Sequence, residues 1–64
     1  MTRYLVIYSP EEPDKKLKEF EDLTFEVRAL FERDDEMLYY PADNELGWRM
    51  GWPYIPESDL EFVI

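Results

Sequence analysis

The chain contains no cysteine and no histidine, and only two glycines among its 64 residues. Without cysteine there is no disulfide framework and no thiolate zinc site. Without histidine there is no imidazole base, no Ser–His or Cys–His pair and no haem or zinc imidazole. Basic residues are scarce too. Seven Lys+Arg stand against 16 Asp+Glu, a formal charge of -9. A net anion repels a polyanion, which argues against direct binding of nucleic acid through its phosphates. The longest uninterrupted apolar run, Tyr4–Tyr8, is far too short for a membrane span. Met1-Thr2-Arg3 ahead of it lacks the long apolar region and cleavage site of a signal peptide. The expectation is a cytoplasmic protein, in the host cytoplasm if phage-encoded, with no membrane partner.

Aromatic residues are abundant. Two Trp, five Tyr and four Phe are spread along the chain. Each can bury about 150–250 Å². A short chain needs that weight, because ordering it costs about 1.5 kcal/mol per residue. With 45% apolar residues the composition is that of a packed domain and not of a disordered acidic tail. Residues 1–64 are read as a single acidic α+β domain.

Arg3 to Tyr8 is β-branched and aromatic on both faces, which predicts a central strand. Ser9-Pro10-Glu11-Glu12 leads into a helix predicted to start at Pro13 or Asp14 and to run to about Asp22. Leu17 and Phe20, three apart, would face the core. From Thr24 to Arg33, Phe25, Val27, Ala29 and Phe31 alternate with mostly polar residues, which favours a strand. A single long helix from Pro13 to Arg33 is the alternative. Arg33-Asp34-Asp35-Glu36 has hairpin length. Met37 to Tyr40 is a short strand ended by Pro41. Ala42 to Glu45 reads as a turn. Leu46, Trp48, Met50 and Trp52 alternate with Gly47, Arg49 and Gly51, which predicts a one-sided strand. Tyr54-Ile55 is extended between Pro53 and Pro56, and Leu60 to Ile64 is a final strand. The predicted class is α+β: strand, helix, then three or four strands, in a largely antiparallel sheet with one short helix packed on it.

Two sets of side chains are candidates for binding. The first is acidic: Glu19, Asp22, Glu26, Asp34, Asp35, Glu36, Asp43 and Glu45. Such carboxylates either form a solvated coat or dock on a basic cleft in the places of phosphates. The second is aromatic: Tyr39, Tyr40, Trp48, Arg49, Trp52 and Tyr54. These residue types are enriched at interface centres, and Trp48, Met50 and Trp52 would equally serve as core. Two glycines flanking Arg49 leave room for a backbone or a ring to approach. The acid runs 34–36 and 43–45 have the residue types that hold Ca²⁺ or Mg²⁺, without the spacing of a calcium loop. No metal or cofactor is expected. Two carboxylates can run acid–base chemistry only in a cleft that raises one pKa, and there is no phosphate loop or nucleophile elbow. Catalysis is therefore not expected.

In size, acidity and aromatic content the chain is similar to the small inhibitors encoded by bacteriophages. Some of those mimic nucleic acids against restriction, repair or CRISPR enzymes. Others bind host polymerase or protease subunits. The likeness covers composition and no shared motif. It implies a non-catalytic inhibitor or regulator whose acidic face meets a partner protein with a basic surface. The alternative is a small structural or assembly subunit that binds a partner, or itself as a homodimer, through an aromatic sheet surface.

Overall fold

A computed structural model describes residues 2–12 and 14–63. Five strands form one antiparallel sheet in the order β4-β3-β2-β1-β5. They are β1 (Arg3–Tyr8), β2 (Thr24–Arg33), β3 (Glu36–Pro41), β4 (Ile55–Pro56) and β5 (Leu60–Phe62). One helix, α1 (Asn44–Met50), follows β3. The class is α+β with a largely antiparallel sheet, as the predicted order of elements implies. β1 is paired on both sides, with β2 and β5.

The β2–β3 hairpin closes on a two-residue turn between the paired Arg33 and Glu36. Asp34 and Asp35 both have positive φ, 54° and 64°. That is the left-handed pair a tight hairpin requires to match the strand twist. The β2–β3 register shifts between Ala29 and Phe31, a bulge that bends the long strand.

β4 and β5 are at opposite edges, yet only Glu57–Asp59, a 3-10 turn, separates them. Four Cα steps span about 14 Å at most. The edges of a flat five-stranded sheet lie about 19 Å apart. The sheet must therefore curl. The rings of Tyr39 on β3 and Phe62 on β5 meet at 5.5 Å, although two strands lie between them. The concave face holds the core: Val6, Tyr8, Phe25, Val27, Tyr39 and Ile55, joined by Phe20 and Met50.

Three expectations are corrected. The segment after β1 is not an α-helix to Asp22. It is a run of turns with a 3-10 helix at Lys18–Phe20 only. Among the described residues its internal backbone bonds span three residues: Leu17 to Asp14, Phe20 to Leu17, Glu21 to Lys18 and Leu23 to Phe20. Unlike a capped helix, this stretch has no side chain bonded at its start, and Glu21 and Asp22 at its end oppose a helix dipole. Leu17 and Phe20 still reach the core. The Pro13 start lies outside the described residues.

Leu46–Trp52 is not a strand. Asp43 caps α1, its side chain accepting from the Leu46 N–H at 2.9 Å. Gly51 ends the helix at φ 78°. The Trp52 N–H returns to the Gly47 carbonyl and the Gly51 N–H to that of Trp48, the paired bonds of a Schellman end. The alternating apolar pattern was accidental, and the caps decide. Ala42 to Glu45 is accordingly the approach and first turn of α1. The last strand stops at Phe62, although the Val63 N–H still bonds Leu5. Ile64 lies outside the described residues.

Candidate functional site

The acidic candidates do not share one face. Asp34 and Asp35 form the exposed hairpin tip. Glu26 lies on the convex face of the sheet, 4.0 Å from Arg3, in an exposed ion pair worth little. Glu19 and Asp22 flank Phe20 on the 3-10 segment, where the Asp22 N–H bonds the Tyr8 carbonyl at 2.7 Å. Asp43 and Glu45 belong to the first turn of α1. Glu36 has a structural task. Its carboxylate accepts from the Ser58 N–H at 2.9 Å and so fastens the crossing between β4 and β5.

That crossing gathers acids that are distant in sequence. The Ser9 N–H bonds the Asp59 carbonyl at 2.8 Å, which draws the start of the 9–12 segment beside it. Burial, then the charges of Glu36 and Glu11, push the Asp59 carboxyl above its ordinary range. Burial, then Asp59, Asp14 and Glu21, push the Tyr8 phenol up. Burial, then Glu57, does the same at Tyr39. The Ser58–Glu36 and Ser9–Asp59 hydrogen bonds thus set Glu36 and Asp59 at the crossing beside the end of β1, and the charges of Glu11, Asp14 and Glu21 are felt there, by Asp59 or by Tyr8. Only Glu36 belongs to the acidic set read from the sequence. The others are brought in by the closure of the sheet, which no local pattern announces.

The aromatic candidates also divide. Tyr39 is core, edge-to-face with Tyr4 and Phe62. Tyr40 and Tyr54 lie on the convex face, where Tyr54 meets the exposed Phe31 at 5.8 Å. Leu5, Arg3 and Arg28 share that face, by the alternation and register of β1 and β2. The Nε of Arg28 is buried there without a hydrogen-bond partner. Arg49 spans the Phe20 ring at 5.6 Å and ties α1 to the 3-10 segment.

Trp48, Met50 and Trp52 are not one core face. Met50 is buried, whereas Trp48 stands 77% exposed. Trp52 takes φ 50°, uncommon for so bulky a residue. Its ring lies against Gly47 so closely that a Cβ there would overlap it. The ring that approaches a bare glycine is therefore the chain's own.

Among the described residues there is no pocket and no group of three carboxylates placed to hold a metal. No helix among them is long and apolar enough to cross a membrane. Comparison with protein-family models, with curated proteins and with solved structures found no match.

Proposed function

We propose that this chain is a non-catalytic binding protein that lays an acidic face on the basic surface of a partner protein. The observation that carries this is the crossing between β4 and β5, where hydrogen bonds hold Glu36 and Asp59 beside the end of β1 in a chain of charge -9, and where the charges of Glu11, Asp14 and Glu21 are also felt. Carboxylates held at the end of a curled sheet can stand where phosphates stand in a nucleic-acid cleft, and the charge of -9 steers the approach. The partner class is a nucleic-acid-handling protein, and the role is that of inhibitor or regulator. Such a partner would be met in the cytoplasm, the host's if the chain is phage-encoded.

The test is capture of partners from the source cell with wild-type chain and with a Glu11→Lys/Asp14→Lys/Asp59→Lys variant. A partner held at low salt, released at high salt, displaced by duplex DNA and lost by the variant supports the proposal. A partner indifferent to salt, DNA and charge reversal sinks it.

The assembly alternative keeps one specific support, the exposed Leu5, Phe31 and Tyr54 on the convex face. Its sheet-edge form is less favoured, because the edge strands are two and three residues long. Sedimentation across a concentration series decides it.

A further inference from the structure

We infer that α1 and its C-terminal turn form a second docking surface, with Trp48 as the anchor, for a partner protein that offers an apolar socket edged by Lys or Arg. The inference is separate from the acidic face and would stand if that face were only solvated. It starts from the exposure of Trp48, 77%, the highest among the exposed large apolar side chains of the described residues. Burying an indole removes a large apolar area from water, and tryptophan is among the residue types enriched at interface hot spots.

The support beneath Trp48 is rigid. Asp43 caps the helix and a Schellman turn closes it. Met50 anchors it in the core, and Arg49 spans Phe20. Trp52 sits in a left-handed backbone with its ring on Gly47 and stays 40% exposed. Strain of this kind persists only where the surroundings enforce it. The backbone beneath Trp48 and the Trp52 ring are thus held already, so the ordering cost of binding falls mainly on the Trp48 side chain itself.

Charge selects the occupant. Glu45 precedes Trp48 by three residues and is its neighbour on the helix surface. Asp43 lies at the same end and remains exposed while it caps. A cationic rim on the partner would meet them. A second copy docked symmetrically would bring Glu45 towards Glu45 and add the repulsion of two chains at -9. An anionic membrane would be repelled for the same reason.

The probes are an amphipathic Lys/Leu helical peptide and a Lys/Ser peptide of equal length and charge. Their binding is read by polarisation of the labelled peptide. Trp48 emission is followed in a Trp52→Phe background whose fold is checked by circular dichroism. The Lys/Leu peptide should bind and shift Trp48 emission to the blue. Trp48→Ala should weaken it by about tenfold or more, and Glu45→Lys should weaken it as well. Equal binding of the two peptides, or equal binding by Trp48→Ala, overturns the inference. So does a blue shift produced by raising protein concentration alone, or by phosphatidylglycerol vesicles alone. Because Trp48→Ala leaves the acids of the crossing untouched, loss of this binding is distinguishable from loss of the salt-sensitive partner.

Discussion

At Gly47 the missing Cβ is a packing requirement. The Trp52 ring occupies the space a methyl would take. Alanine is the better helix former by about 1 kcal/mol. Overpacking against a large ring costs about 1–3 kcal/mol. The clash outweighs the propensity gain, so Gly47→Ala should lower stability in urea unfolding and expose Trp52. Gly47→Ala/Trp52→Ala should lose less than the sum of the two single changes, because the second removes the clash made by the first. Full additivity would mean that the ring does not rest on Gly47.

Asp59 carries a pH signature. Burial first, then Glu36 and Glu11, raise its carboxyl above the ordinary 3.8. A carboxyl raised in the fold holds its proton more tightly there than in the unfolded chain. Its favourable contribution is complete below the unfolded value and is lost as pH rises through the folded value. Asp59→Asn should therefore be more stable than the wild type at neutral pH. The gap should close as pH falls below 4, about the unfolded value. Urea midpoints at the two pH values test this. A gap of constant size would remove the electrostatic cause.

At the scale of elements, legibility followed local chemistry. β1 was readable from its β-branched and aromatic composition, apolar on both faces, and β2 from the period-two alternation of Phe25, Val27, Ala29 and Phe31. The 34–35 turn was readable from its length and its aspartates. α1 was misread because Leu46, Trp48, Met50 and Trp52 mimic that alternation over seven residues. The corrective signals were Asp43 before the segment and Gly51 after it, a cap and a left-handed stop. The cap is testable. Asp43→Ala should cost about 0.5–2 kcal/mol, and Asp43→Asn should retain most of it. The hairpin offers the opposite sign. Asn-Gly at positions 34 and 35 suits two positive φ angles better than Asp-Asp, and should stabilise by a few tenths to about 1 kcal/mol. Thermal midpoints of the variants check both.

For the molecule as a whole, closure of the sheet governs where charge ends up. Spacing in the sequence places Glu11, Asp14, Glu21, Glu36 and Asp59 in four different segments. The Glu36–Ser58 and Ser9–Asp59 hydrogen bonds bring the crossing, the head of β3 and the end of β1 together. That is why the acidic candidates chosen by local runs, such as Asp34 and Asp35, missed the crossing. A distributed coat and a focused cluster predict different responses to neutralisation. If charge were spread evenly, removing any two carboxylates from a chain at -9 would relieve similar repulsion. With charge focused at the crossing, Glu11→Gln/Glu21→Gln should stabilise more at low salt than Asp34→Asn/Asp35→Asn judged against its own high-salt value. The high-salt reference cancels the turn effects of Asn at 34 and 35. Rising NaCl should shrink the first gain, because the screening length falls from about 30 Å at 0.01 M to about 3 Å at 1 M. If screening recovers about 1 kcal/mol in the wild type, its thermal midpoint should climb by about 4–8 °C. Equal salt sensitivity in the two double variants would return the acids to the status of a uniform coat, and would take the main support from the acidic docking face with it.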